Sequence, residues 1–587
     1  MKARALLASL LLLAPFTFGL PLAGSAPTAF ATQSAAVGES PAAGMTSTTA
    51  ATNHAGLVVA GARLAPRAAL LTPITPNGSW PVYHHDDAHS GADPAAKYVT
   101  SVIPGWTSAA TDKQIYAEPL IYGGIVYAAT LNNTVYAFNQ TDGSLVWSKN
   151  MEADFGLGNP ESRCCGGANA WGCGNVSPQG ILGTPVIDPS TNRIYAAILL
   201  TDPLGGSADQ YRLVGLNLAT GALELNTLIS ATGFDWRIQQ ERGALAVHSG
   251  YVYVPFGGRA GDCGNYSGWV FGVPTNGSTT LTVGQTSNTG NGIWAAGGVA
   301  VDDTTGDVYV TTGNGVNNGS GDGCSDDGLG NPNFINDAVV QSSSSLVENT
   351  YFMPGDWQAN WCSNDQDLGS AGPLLISHSL MFQAGKWGTG FLLDPTNLGG
   401  VGGQLFPTPA GSDSGNDVCF GNHSDATFGS FAYSAPFVYV ECEGHGLVAL
   451  HVDTVTPSFS PCDSVCAAPD WHAGGTTTFG PPIVAAGAVW VASNGGGLFA
   501  YRAGTGALIY HSAGFSINRF STPAEAGGQV FVAAGNVVKQ FVMHFGATQS
   551  TAPPSVPPRT PVVQVSPAAP VTRPPVNQSS PSPPPPR

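Results

Sequence analysis

Three short stretches hold the side chains whose types and spacing suit chemistry. RCCGGANAWGC at 163–173 sets Cys164 beside Cys165 with Cys173 close behind, a group fit for a redox pair, a metal clamp or a structural staple. WPVYHHDDAHSG at 80–91 gathers His84, His85, Asp86, Asp87 and His89. Imidazole and carboxylate are good ligands for a divalent metal, although a hydrogen-bonded strand is the simpler reading. GSGDGCSDDG at 319–328 places Asp322, Asp326 and Asp327 in a Gly-rich loop, but the spacing departs from the D-x-D-x-D-G calcium loop and favours a solvated turn. Zinc finds only Cys462 and Cys466, as C-x-x-x-C. Trp357, Trp361 and Trp387 read first as packing and second as a sugar or quinone platform. No G-x-S-x-G, H-E-x-x-H or Walker loop is present, which leaves hydrolase and nucleotide readings without a motif.

The compartment decides what the cysteines do. The chain begins MKAR and runs through an apolar stretch at 5–22 to Ala29-Phe30-Ala31, the pattern of a cleaved secretory signal over 1–31. No cysteine precedes Cys164, so a lipoprotein anchor has no acceptor, and no later apolar run is long enough to span a bilayer. In an oxidising compartment the 10 cysteines are expected mainly as disulfides. A net charge of −18 argues against nucleic acid or an anionic membrane as partner. The 77 glycines and 10% charged residues describe a turn-rich body with a Ser, Thr, Asn and Gly surface.

Residues 32–79 form a low-complexity leader, and 547–587 are so rich in proline that they favour extended, coreless chain. The part between, 80–546, repeats itself. VYAFNQTDGSLVWS, LVGLNLATGALELN and LFAYRAGTGALIYH each join two apolar strands through a turn ending in Gly143, Gly221 or Gly506, where glycine permits a positive φ. Each hairpin follows another strand pair, and such pairs start near Ala117, Gly183, Arg242, Gly297, Ala371, Gly429, Gly480 and Ser521. Four short strands per repeat at this spacing predict an all-β, eight-bladed propeller. The last repeat ends after three strands, and IPGWTSAA at 103–110 is expected to supply the fourth, removing the open edge of the ring.

These repeats resemble the quinoprotein family, the propellers related to dehydrogenases that use pyrroloquinoline quinone (PQQ). The start of 80–91 looks like the W-P-x-x-x-x-D-x-x-x-x-G segment of many such propellers. GDVYVTTGN at 306–314 resembles the strand end whose Asn binds calcium beside the quinone, which implies Asn314 as metal ligand. NDQDLGSAGPLLI at 364–376 is similar to the segment with the catalytic Asp, which implies Asp367 as base and metal neighbour, with Asp365 beside it. MFQAGKWGTGFLLD at 381–394 resembles the segment whose Lys contacts the quinone, which implies Lys386. The family also carries an adjacent-cysteine disulfide near the quinone, and Cys164 and Cys165 lie in a similar place. A bridge from Cys173 competes, because an adjacent pair strains its own peptide.

The chain also departs from the family. The region matching the family's calcium-binding Glu reads GGRAGDCGNYSGWV, where Asp262 is the nearby carboxylate. The Trp stacked under the quinone corresponds to Trp294 in GIWAAGG, out of register. No C-x-x-C-H is present, so no attached haem is expected. These departures favour an exported, non-catalytic binding or assembly scaffold for a protein, glycan or small-molecule partner. The alternative is a calcium- and PQQ-dependent dehydrogenase of an alcohol or aldose. The two differ in space: the enzyme requires Asn314, Asp367, Lys386 and Asp262 to converge at one mouth of the channel.

Overall fold

Short apolar runs cut by glycine turns cannot bury both faces alone, so they pair into small antiparallel sheets that stack on one another. The computed structural model describes residues 78–546 apart from 94–96, 159–173, 202–209, 263, 287–288, 314, 316–336, 408–415 and 463. They form eight sheets arranged as an eight-bladed propeller. The inner strands are Leu120–Tyr122, Val186–Asp188, Ala246–His248, Ala300–Val301, Leu374–Ser377, Ala432–Ser434, Ile483–Ala485 and Ala524–Ala526, for blades 1 to 8 in order. Each begins three residues after the repeat start read from the sequence, or four in blade 3. Blade 5 has three strands, its third bridged at Leu392 to Phe406. In blade 4 an extra strand, Gly400–Val401, runs parallel to Glu348–Met353.

The ring closes as expected. Val99–Thr107 pairs antiparallel with Val537–Phe545 and completes blade 8 from the N-terminal side. Cohesion between blades comes from apolar layers buried between successive sheets and from a repeated aromatic contact. The outer strand of one blade carries a tryptophan that lies over the hairpin glycine of the next: Trp106 over Gly143, Trp147 over Gly221, Trp471 over Gly506. A Cβ on any of these glycines would come within 2.6 Å of the indole, and each glycine has a φ near +70°, at 70°, 68° and 67°. The same indoles donate Nε1–H to carbonyls of those turns, Gln140 at 3.0 Å, Leu218 at 3.0 Å and Ala503 at 2.9 Å. Tyr127 and Tyr439 donate to the Leu218 and Ala503 carbonyls as well.

The histidine stretch folds into successive turns and acts as an axial plug, not a strand. Its backbone reaches the inner strands of six blades: Trp80 pairs with Ile121, and Pro81, Asp87, Ala88, Ser90 and Gly91 accept from the amides of Ile187, Val301, Leu375, Tyr433 and Val484. Glu118 fixes one end, accepting from Trp80 Nε1 at 2.8 Å and the His84 amide at 2.9 Å. His84 donates Nδ1–H to the Phe431 carbonyl at 3.0 Å. Burial pushes His84 down to about 3 and His89 down to about 4, while it raises Glu118 well above the usual carboxylate range. The imidazoles are neutral packing groups of the plug.

Cys419–Cys442 and Cys462–Cys466 are disulfides, so the C-x-x-x-C pair is a loop closure and no zinc clamp. Trp357 and Trp361 are buried in the core, and Trp387 stacks on His423 at 4.6 Å; packing is their role. Cys173 and the acidic loop 319–328 lie outside the described residues.

Two outcomes are expected. Trp147→Ala lowers unfolding stability by about 2–3 kcal/mol through lost aromatic burial, whereas Trp147→Phe, which keeps a ring and loses the Nε1 bond, costs about 1 kcal/mol; urea midpoints of the two variants measure this. The second concerns His89, whose folded value of about 4 lies below its ordinary 6.5, so the unfolded chain binds the extra proton between them. The stability that neutral His89 contributes is present above pH 6.5 and is lost on acidification. The gap in melting temperature between wild type and His89→Gln narrows from pH 7 to pH 5.

Candidate functional site

Five of the residues singled out by sequence line one cleft of about 320 Å³: Asp262, Trp294, Asp365, Asp367 and Lys386. Asp367 sits in the turn before the short helix Leu368–Ser370, which leads into the inner strand of blade 5. Lys386 follows the second strand of that blade, Leu380–Ala384. Gly385 makes their approach feasible, since a Cβ there would lie 2.6 Å from both the Asp367 carbonyl and Leu368 Cα. The Lys386 amide then donates to the Asp367 carbonyl at 3.1 Å.

Lys386 Nζ lies 2.5 Å from Asp367 Oδ2 and donates to the Asp365 carbonyl at 3.1 Å. Burial works against its charge, but the Asp367 carboxylate outweighs that and holds the Lys386 pKa above its ordinary value. Nζ is also 5.5 Å from the Trp294 ring centre, within cation–π range. Gly313, at the end of the second-strand run of blade 4, threads between Asp367 and Trp294: a Cβ there would stand 2.4 Å from Asp367 Oδ1 and 3.0 Å from Trp294 Nε1. Asp262, in the loop of blade 3, accepts from Tyr266 Oη at 2.8 Å.

Asp337 completes the carboxylate cluster, and no motif marked it. It precedes the third strand of blade 4, Val339–Ser342, with its amide on the Gly313 carbonyl at 3.2 Å. Its Oδ1 accepts from Leu368 N at 3.4 Å, while Oδ2 is buried without a hydrogen-bond partner among the described residues. Burial, then the Asp367 charge, raises it well above the carboxylate range. Tyr266 and Arg242 were missed as well. Arg242 did leave a signal, as a charged residue where the other repeats begin with small or apolar ones.

Beside the cleft opens a wider cavity of about 580 Å³, which shares Arg242, Trp294 and Lys386 as its wall. Asn314, Cys164 and Cys165 lie outside the described residues.

Comparison with known proteins bears on the architecture around this cleft. A protein-family model described as outer membrane protein assembly factor BamB matches residues 104–312. The solved quinohemoprotein alcohol dehydrogenase from Comamonas testosteroni superposes with a TM-score of 0.56 at 14% identity, over 81% of this chain and 82% of that one. A europium-containing methanol dehydrogenase gives 0.56 at 12% identity, over 80% and 98%. The chain has the β-propeller fold of these proteins. At these identities the likeness establishes the fold. Quinohemoprotein alcohol dehydrogenase ADHIIG from Pseudomonas putida HK5 extends it, at 0.54 and 14% identity over 80% and 81%. No curated protein matches the chain.

In this propeller Asp365 and Asp367 pair with the Lys386 ammonium, and Asp337 is buried behind Asp367. Lys386→Ala leaves Asp367 beside Asp337 without a counter-charge, and loses about 2–4 kcal/mol of stability. Adding Asp367→Asn to that variant restores part of the loss, and a double-mutant cycle by denaturant unfolding reads the coupling.

Proposed function

We propose that the chain is an exported quinoprotein dehydrogenase that oxidises an alcohol, with PQQ and a divalent cation such as calcium at the mouth of its channel. The observation that carries this reading is the convergence of Asp262, Trp294, Asp367 and Lys386 on one cleft. Separately they are weak signs, and a scaffold has no reason to gather them. The sequence alone favoured the scaffold; this convergence reverses the order.

The residues present fit such a group. The carboxylates of Asp262, Asp337 and Asp367 are hard oxygen donors, and the buried Oδ2 of Asp337 has no hydrogen-bond partner among the described residues. Asn314 would join them as a ligand. Trp294 offers a stacking face and Lys386 a donor for quinone oxygens, and the family resemblance adds Cys164 and Cys165 as expected neighbours of the quinone. When bound, the quinone supplies a two-electron acceptor and the cation polarises it.

The chain's own residues do the rest. Lys386 holds its ammonium 2.5 Å from Asp367 Oδ2, an ion pair that favours the carboxylate over the acid form. Asp367 takes the hydroxyl proton of the alcohol as general base. Lys386, paired with Asp367, would also hold the quinone, so substitution there is expected to disturb both binding and proton transfer. Residues 1–31 act as a secretory signal, and the Cys419–Cys442 disulfide supports an extracytoplasmic site. By composition, 32–79 is a low-complexity leader and 547–587 a Pro-rich tail flanking the propeller sequence at 80–546.

A second reading keeps one observation of its own. The matched family model is described as an assembly factor, which suits a propeller that docks another protein.

Titration of the full chain with PQQ, with and without calcium, tests the choice. Saturable, calcium-dependent binding that weakens roughly tenfold or more in Lys386→Ala is expected, together with reduction of an artificial dye by alcohols that Asp367→Asn abolishes. Absence of binding at high micromolar PQQ would overturn the enzyme reading and leave the docking one.

A further inference from the structure

Four positions before the inner strands of blades 1, 2, 3, 4 and 8 stand Tyr116, Leu182, Arg242, Ala296 and Phe520, which line one small cavity beside Tyr83. Seven of the eight blades put an uncharged residue at that position, among them Tyr116, Ala296, Phe428 and Phe520; blade 3 puts Arg242. Arg242 is therefore the one charge at this position of the repeat, where the other blades carry Tyr, Leu, Ala, Ser or Phe.

Its surroundings make that charge unusual. The guanidinium lies 4.1 Å from the Phe520 ring centre and 5.6 Å from that of Trp294, held between the two rings. It makes no hydrogen bond or ion pair among the described residues, and burial, with Arg519 nearby, lowers it to about 10. The neighbouring cations are otherwise engaged: Lys386 by Asp367 at 2.5 Å, Arg519 by Glu443 at 3.0 Å. Arg259 gives its donors to the Arg237 and Trp236 carbonyls and to Gln179. A half-buried cation with no anion among the described residues is costly, and in a chain of net charge −18 carboxylates to pair with it were abundant. Arg242 faces both the cleft holding Asp367 and the wider cavity in front of it.

We propose that Arg242 is a specificity residue that binds a carboxylate of the substrate, so that the site takes an alcohol that is also an acid, of the hydroxy-acid or uronic-acid class. The planar fork of Arg pairs with a carboxylate through two parallel N–H···O bonds. The rings that hold the guanidinium leave its donors for the ligand and offer apolar faces to the carbon skeleton. Asp367 then meets the hydroxyl end of the same molecule. The inference deepens the dehydrogenase reading and rests on it for the oxidation, though not for the binding.

Calorimetric titration of the full chain with D-glucuronate and with D-glucose tests it, because the two differ by a carboxylate in place of a hydroxymethyl group. Glucuronate is expected to bind in the millimolar range or tighter, to weaken with added NaCl, and to lose roughly tenfold or more in affinity in Arg242→Gln; glucose binds more weakly and is indifferent to the change. Arg242→Lys, which keeps the charge and the fold if the glutamine variant does not, is expected to lose several-fold affinity with the planar fork. Equal glucuronate affinity across these variants, or no glucuronate binding to wild type, overturns the proposal. PQQ titration of the same variants separates the two readings. Loss of PQQ binding with glucuronate binding retained would assign Arg242 to the cofactor and sink the inference; glucuronate binding through Arg242 with no PQQ binding would sink the dehydrogenase reading alone.

Discussion

Everything in this molecule depends on an indole lying flat over a glycine turn. Trp106, Trp147 and Trp471 each reach from the outer strand of one blade onto the hairpin of the next, and each closes the contact with an Nε1 hydrogen bond. The contact works only with glycine beneath, both for its positive φ and because a Cβ would strike the ring. It fixes the spacing between neighbouring sheets. The first of these tryptophans, Trp106, sits on the N-terminal strand that completes blade 8, so the same contact locks the ring where its two ends meet.

A closed ring leaves an axis, and the chain treats that axis as a second core. The segment 80–93 gives its carbonyls and amides to inner strands all round the ring, which satisfies backbone groups that would otherwise face an empty channel. Neutral imidazoles suit such a place, and burial there raises Glu118 well above the carboxylate range, because charged forms would be stranded in it. With the axis plugged, the space left to a ligand is the mouth, where loops from blades 3, 4 and 5 meet.

The mouth concentrates opposite electrostatic problems within a short distance. Asp337 and Asp367 crowd together, Lys386 neutralises one of them, and Arg242 lies between aromatic rings with no carboxylate partner among the described residues. Uncompensated groups are expensive to bury, and a fold tolerates them where a ligand repays the cost. Gly313 and Gly385 let the backbone bring these groups so close.

Much of this was legible in the sequence. The eight repeat starts fell within a few residues of the inner strands, because a short strand pair and a glycine turn are local patterns with local causes. The closing strand was legible too, at 103–110 by its likeness to an outer strand, although the strand itself starts earlier and spans Val99–Thr107. Asp367 and Lys386 could be named from their segments. What sequence alone did not determine was which charges meet. Asp337, distant in the chain from Lys386 and Asp367, joins them only because blades 4 and 5 are neighbours in the ring. Arg242 becomes a lone cation only once Phe520 and Trp294 fold onto it. Strands follow from neighbours along the chain, but the electrostatics of the site follow from neighbours around the ring, and only the closed propeller sets those.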